Sequence, residues 1–294
     1  MLVLNKLEFS HNLRRTLQHV SQLPPLPETT QELLKLRNDP NANIERLTSL
    51  IEKDPSLTAF IMKYARMSIF GYGDRISSVH HAITLVLGFN TALNLTLCTI
   101  SAGCFKLPND GALGRIRIWS QALACAALSS ELCQKMANKE LINCDLAYLN
   151  GLFHNFGHLL FGHLYPREFS FLNNLVSRHP EHNARVLQLH TFGIAYDTIG
   201  MYLIKAWNLP EEIMTAVAEQ HFPDYSGNHA AYVKLIAVAK RLLSNQSAPD
   251  GCPNFATAAL LEELGISESD AKLAQERIFG SQKEFLVIAE EISE

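Results

Sequence analysis

Apolar side chains recur at helical spacing along most of this chain, and this pattern constrains the fold more than any other feature. Leu57, Phe60, Ile61, Tyr64 and Ala65 follow the i, i+3, i+4, i+7, i+8 pattern of one helical face. No segment shows the alternation of apolar and polar residues that a half-buried strand requires, and we find no internal repeat. The sequence therefore predicts an all-α fold.

Local signals divide the pattern into helices and connectors. Asp54 followed by Pro55 predicts an N-cap and the first residue of a helix. Asp145 is expected to cap another helix, which we expect to continue through Leu164 before it is stopped by Tyr165 and a proline. The segment Leu23–Pro27 contains three prolines and is predicted to be a stiff extended connector.

Length and charge limit the possible functions. The chain has 294 residues, of which 47% are hydrophobic, and this suffices for one large domain or two smaller ones. The formal net charge is -4 and no segment concentrates Lys and Arg, so we expect no direct binding of nucleic acid. The start lacks the features of a signal peptide, and the most apolar stretch, Leu85–Phe105, is interrupted by Asn and Thr. We therefore expect a soluble cytoplasmic protein with no membrane association.

The six cysteines show neither a C-x-x-C pair nor zinc-knuckle spacing. For a cytoplasmic protein this predicts reduced and mostly buried thiols. No cysteine has a neighbour in the sequence that would mark it as a nucleophile.

His154 and His158 are the most suggestive candidates for chemistry. On one helix, side chains four residues apart share a face, and this spacing is compatible with a metal ion. The alternative is a pair of hydrogen-bonded core histidines beside Gly157, whose small size lets another helix approach. A hard ion such as magnesium or manganese also needs carboxylate oxygens, whereas Asn155 supplies only a neutral amide.

Several short motifs resemble the HDOD domain, in the same order and over about two hundred residues. They are Leu23–Glu28, Asn38–Pro40, Leu50–Thr58, Arg75–Ala82, Leu85–Gly88, His154–Gly157, and Gly200 followed by Trp207–Pro210. The resemblance implies an HD-domain-like helical bundle. It implies an N-terminal helical segment over residues 1–15, the HDOD domain over 16–222, and a C-terminal helical extension over 223–294 packed on the same core.

HDOD domains are similar to the HD superfamily of metal-dependent phosphohydrolases, which includes the HD-GYP phosphodiesterases. In the active enzymes a His, a His-Asp pair and a later Asp bind the metal that activates water. Carried onto this chain, these positions fall at Trp119, at His154 with Asn155, and at Lys240, and a further His of some relatives falls at Tyr196. An ammonium in place of a carboxylate repels a divalent cation. The resemblance therefore implies a degenerate metal site.

Two functions follow from the resemblance. The first is a non-catalytic regulatory module of signal transduction, with no catalytic residue and no cofactor, whose partners are signalling proteins supplied in trans. Its pocket could hold a small anionic ligand and is formed by Trp119, His154, Asn155, His158, Tyr196 and Lys240.

The alternative is a phosphohydrolase that acts on a nucleotide or cyclic dinucleotide. It would need a divalent metal on His154 and His158, with Asp197 or Asp145 as replacement ligands. A third possibility, a purely structural helical scaffold, is hard to separate from the first.

Overall fold

The computed structural model describes residues 6–18, 28–37, 39–102, 105–244 and 255–293. Over these residues the backbone is helical and forms no strand, which confirms the all-α prediction. The predicted connector Leu23–Pro27 lies outside the described residues. In the described part of the chain, no helix combines the length and the apolar character needed to cross a bilayer.

The α-helices follow one another along the chain and are numbered in that order. They are α1 (Lys6–Gln18), α2 (Glu28–Arg37), α3 (Ile44–Glu52), α4 (Pro55–Ala65), α5 (Val79–His81), α6 (Gly88–Ala102), α7 (Arg115–Lys135), α8 (Cys144–Phe153), α9 (Phe156–Leu164), α10 (Pro166–Arg178), α11 (Ala184–Phe192), α12 (Tyr196–Ala206), α13 (Glu211–Glu219), α14 (Ala230–Leu243), α15 (Phe255–Glu263), α16 (Glu268–Gly280) and α17 (Gln282–Ser293). A π-helical segment, Ala82–Leu87, joins α5 to α6.

The central element is α7, which contacts α8, α14, α16 and α17. Most of its 21 residues are apolar or small, and Trp119, Leu123 and Leu128 are fully buried. Because α7 is covered by helices from both the middle and the end of the chain, the helices α14, α16 and α17 share its core. Burying these side chains is the main favourable contribution to the stability of such a bundle.

The predicted cap of α4 is present. Asp54 Oδ1 accepts hydrogen bonds from the backbone N–H of Ser56 at 2.9 Å and of Leu57 at 3.2 Å, and Pro55 is the first helical residue. These bonds satisfy two of the backbone donors that a helix start leaves without partners.

The single helix predicted from Asp145 to Leu164 is wrong. The structure has two helices, α8 and α9, separated by a turn at His154 and Asn155, and the cap of α8 is Asn143. The turn is held by another helix, because Gln220 Nε2 donates a hydrogen bond to the His154 carbonyl at 2.8 Å. His154 and His158 therefore do not share one continuous helical face.

The expectation that the thiols are reduced is wrong for one pair. The structure joins Cys133, near the end of α7, to Cys144, the first residue of α8, in a disulfide. Cys125 is a free and buried thiol. The bridge spans 11 residues of sequence and so ties the end of one central helix to the start of its neighbour.

Gly157 allows α9 and α12 to cross closely, as the sequence predicted for an unspecified helix. A Cβ atom at this position would lie 1.8 Å from the Tyr196 carbonyl oxygen and 2.8 Å from the Gly200 backbone nitrogen. Both of these are backbone atoms and cannot move aside without shifting a helix. The crossing fixes the distance between the α8–α9 turn and the start of α12.

We expect Gly157→Ala to lower the free energy of unfolding by about 1–3 kcal/mol or more, because the added methyl group forces the two helices apart. Gly280→Ala is the matched control, since Gly280 is exposed and a Cβ there meets no atom within 4 Å. The control should change stability by less than about 1 kcal/mol, in the stabilising direction. Urea denaturation measures both values, and equal effects of the two substitutions would contradict the close crossing.

Candidate functional site

A cavity of about 650 Å³ opens between α7, the α8–α9 turn, α12, the end of α13 and α14. Of the six side chains predicted to form the pocket, the structure brings five to this cavity. They are His154, Asn155, His158, Tyr196 and Lys240. This volume lies within the usual range for small-molecule sites.

Trp119 is the predicted pocket residue that does not line the cavity. Its side chain is fully buried and packs edge to face on Phe156, with ring centroids 5.2 Å apart. Successive side chains on a helix point about 100° apart, and on α7 it is Arg117, Ile118 and Gln121 that face the cavity.

Lys240 places its ammonium among neutral polar groups of the cavity. Its Nζ donates hydrogen bonds to Gln220 Oε1 at 2.7 Å and to Tyr196 Oη at 3.2 Å, and lies 3.3 Å from His221 Nε2. Tyr196 Oη is also 2.9 Å from His221 Nε2. Lys240 of α14 therefore contacts residues of α12 and of the end of α13. The resemblance implies a metal-binding Asp at the position of this lysine.

Gln220 and His221 were missed as site residues by the sequence analysis. They follow the last turn of α13 and precede Pro223, a position that resembles an exposed helix end. Gln220 is nevertheless 2% exposed, and its amide bonds both the His154 carbonyl and Lys240. Only the packing of α13 against α8 and α14 brings these residues to the cavity.

His154 and His158, two of the histidines that line the cavity, are held in the neutral form. Burial lowers the pKa of His154 to about 3, and the positive charge of Lys240 acts in the same direction. Burial, followed by His154 and Lys240, lowers the pKa of His158 to about 3. His154 Nδ1 lies 2.6 Å from the Gly151 carbonyl oxygen, which only accepts, so Nδ1 carries the proton and Nε2 has the lone pair.

The donor set of the cavity does not fit the divalent ion that the HD superfamily uses. His154 Nε2 is a suitable ligand, but Asn155 supplies an amide whose Nδ2 donates to the Ile118 carbonyl at 2.9 Å. No Asp or Glu occurs among the described residues that line the cavity. The ammonium of Lys240 would repel the ion, and nothing in this set offsets that repulsion.

Neither acid considered as a replacement ligand faces the cavity. Asp197 is buried and forms an ion pair with Arg185, and its other oxygen accepts from the Thr198 backbone N–H at 2.6 Å. Asp145 lies at the opposite end of α8 from His154 and accepts from Asn90 Nδ2 at 2.9 Å.

Cys125 also lines the cavity, but its thiol is not poised to act as a nucleophile. Burial raises the pKa of Cys125 to about 12, so the thiolate form is absent near neutral pH.

One group of metal-type ligands does come together at the rim of the cavity. Among the described residues, His179, Glu181 and His182 have ligand atoms within 4.8 Å of one another, and all three are exposed. They lie in the turn between α10 and α11, two helices that the sequence analysis did not identify. The sequence does carry a signal for α10, since Pro166 is typical of the first residue of a helix and Phe169 and Leu172 are spaced to lie on one buried face.

Comparison with known protein families identifies the HDOD domain in this chain. Residues 23–223 match the model of the HDOD domain. The chain is 26% identical over 204 residues to an uncharacterised protein of Treponema pallidum (strain Nichols), a match that covers 69% of this chain and 38% of that protein. This chain therefore spans well under half of the length of that curated relative.

Two solved structures show the same fold. A protein from Marinobacter aquaeolei VT8, provisionally named a signal transduction protein, is 29% identical, with a TM-score of 0.79 over 99% of this chain and 67% of that one. A protein from Shewanella amazonensis SB2B, provisionally named a phosphohydrolase, is 18% identical, with a TM-score of 0.69 over 94% of this chain and 97% of that one.

The two buried histidines predict a pH dependence of stability. In the unfolded chain a histidine has a pKa near 6.5, whereas in the folded protein the pKa of each is about 3. Between these values the unfolded chain binds more protons, so lowering the pH favours unfolding. The free energy of unfolding should therefore fall below about pH 6.5, and each histidine should contribute up to about 1.4 kcal/mol per pH unit.

Urea denaturation between about pH 7 and pH 5 measures this slope. We expect His158→Gln to make the slope shallower by about 1 kcal/mol per pH unit, whatever its effect on stability at pH 7. His190→Gln is the control, because His190 is exposed, and it should leave the slope unchanged. An unaltered slope in His158→Gln would show that His158 titrates as it does in the unfolded chain.

Proposed function

Because this chain belongs to the HDOD domain family, a divergent branch of the HD superfamily of metal-dependent phosphohydrolases, we propose that it is a regulatory module that acts by binding and not by catalysis. The observation that carries the proposal is the position of Lys240. Its ammonium bonds Gln220 and Tyr196 inside the cavity where the resemblance to the HD superfamily implies a metal. An HD-type hydrolase activates water with that metal, and this donor set does not support one.

A role in signal transduction is the finer part of the proposal. The name given to the Marinobacter aquaeolei protein, 29% identical to this chain, supports it. The proposed partners are separate signalling proteins, and we propose that the module works in the cytoplasm.

One observation favours the alternative of a phosphohydrolase. His154 keeps the tautomer of a metal ligand, because its Nδ1–H donates to the Gly151 carbonyl and leaves the Nε2 lone pair unprotonated. Metal-binding histidines are commonly oriented by such a bond to a backbone carbonyl. This feature supplies one ligand, and it does not replace the two missing carboxylates.

Metal content and hydrolysis together distinguish the two functions. We expect the purified protein, after incubation with manganese or iron, to retain no tightly bound ion in the cavity and to leave bis(p-nitrophenyl) phosphate intact. Elemental analysis and release of p-nitrophenol measure the two properties. Stoichiometric metal, with turnover that is lost in His154→Ala, would overturn the proposal.

The surface group at His179, Glu181 and His182 needs its own control in this experiment, because it could bind an added metal ion outside the cavity. The variant His182→Asn removes one of its three ligands. Metal that disappears in His182→Asn but persists in His154→Ala belongs to the rim, and such a result leaves the proposal standing.

A gain-of-binding variant tests the same electrostatic argument directly. We expect the double substitution Asn155→Asp with Lys240→Asp to raise the affinity for manganese by about tenfold or more, since it removes one positive charge and adds two carboxylates. Titration calorimetry measures the affinity, and circular dichroism checks that the variant is folded. If the folded double variant binds manganese no better than the native protein, then residues other than Asn155 and Lys240 prevent metal binding.

A further inference from the structure

The cavity is lined by basic side chains from two helices. Arg117 comes from α7, and Lys240 and Arg241 come from α14. The described lining residues include no carboxylate. The nearest acid considered above, Asp197, forms its ion pair with Arg185, so it does not balance these charges. The cavity therefore carries a local positive potential, although the chain as a whole has a formal net charge of -4.

Arg241 adds a directional donor to this charge. Its Nη1 atom is buried and has no hydrogen-bond partner, and the structure places the residue at the cavity wall. A buried guanidinium N–H without an acceptor is unfavourable, and an oxyanion is the ligand whose geometry matches a guanidinium best. This arginine is therefore arranged to receive an acceptor that the protein itself does not supply.

His158 provides a second unsatisfied polar group, on a different helix. The residue is 5% exposed, lines the cavity, and its Nδ1 atom has no hydrogen-bond partner. Its ring stacks on Tyr196 with centroids 4.1 Å apart, so the imidazole is held in one orientation. Three buried polar atoms at this cavity, Arg241 Nη1, His158 Nδ1 and Asn155 Oδ1, thus have no partner within the protein, and a polar ligand would satisfy such groups.

Part of the cavity lining is apolar, and the cavity is larger than an inorganic anion requires. Leu113, Val176, Pro180 and Leu243 contribute to the lining, and the volume is about 650 Å³. An organic group attached to the anion would bury apolar surface against these side chains.

We propose that the cavity is a receptor site for a small organic molecule that carries a phosphate group, with Arg241, Lys240 and Arg117 attracting the phosphate and the apolar lining residues contacting the organic part. The inference rests on the proposed function, since it requires the cavity to take a phosphate directly and without a metal. It goes further by naming the class of ligand.

Phenyl phosphate is a suitable probe, with inorganic phosphate, benzoate and phenol as comparison compounds. In titration calorimetry at low ionic strength and without added metal, we expect phenyl phosphate to bind more tightly than inorganic phosphate, because the ring also buries apolar surface. Phenol, which lacks the anion, should not bind measurably. Benzoate distinguishes a general preference for organic anions from one for phosphate, and it should bind more weakly than phenyl phosphate.

Substitution of the cavity arginines tests whether phenyl phosphate binds at the proposed site. We expect Arg241→Gln to weaken phenyl phosphate about tenfold or more, which is the loss typical of one charged hydrogen bond. Arg14→Gln is the matched control, because Arg14 is an exposed arginine on α1 outside the cavity lining, and it should bind as the native protein does. If Arg241→Gln fails to fold, Arg117→Gln provides the same test at an exposed position of the cavity.

The outcomes separate this inference from the proposed function. No binding of phenyl phosphate, or equal binding by the native protein and a folded Arg241→Gln or Arg117→Gln variant, would overturn the receptor site and leave the non-catalytic proposal intact. Benzoate that binds as tightly as phenyl phosphate would overturn the assignment of phosphate. Cleavage of phenyl phosphate on addition of manganese would instead overturn the proposed function.

Discussion

The turn between α8 and α9 depends on hydrogen bonds that other helices supply. The His154 carbonyl accepts from Gln220 of the α13 end, and Asn155 donates to the Ile118 carbonyl of α7. The first bond satisfies a backbone carbonyl where the helix is interrupted, and the second holds the Asn155 side chain against α7. The interruption places His154 and Asn155 at the wall of a cavity, and Gly157 lets α12 approach closely enough for Tyr196 to stack on His158.

Electrostatics then decides what such a cavity can bind. Its buried His154 and His158 are neutral because burial disfavours their charged forms, and its positive charge comes from lysine and arginine side chains. The HD superfamily uses a divalent cation, whereas the cavity of this chain is lined by basic side chains and, among the described residues, by no carboxylate. A positive potential of this kind favours anions over cations.

The sequence predicted five of the residues that line the cavity, but it wrongly included Trp119 and missed Gln220 and His221. His154, Asn155 and Lys240 were found because the family motifs anchor them, whereas Trp119 was assigned from a neighbouring position on α7 that faces the core. Gln220 and His221 follow a helix end and look solvent-facing until α14 packs beside them. α10 and α11, which build the rim, carry no family motif, and their amphipathic pattern was overlooked.

The sequence by itself determined that this protein is helical and where several helices begin, and its resemblance to a family predicted that the residues at the metal-binding positions are replaced. These properties are local, since they depend on the spacing of apolar residues, on capping side chains and on the identity of single residues. Only the tertiary structure decided that the helix predicted from Asp145 breaks at His154, that Cys133 meets Cys144, and that Arg117 shares a cavity with Arg241. Each of these features depends on how the helices pack against one another. Helical periodicity shows which face of a helix is buried, but it carries no information about which helix covers that face.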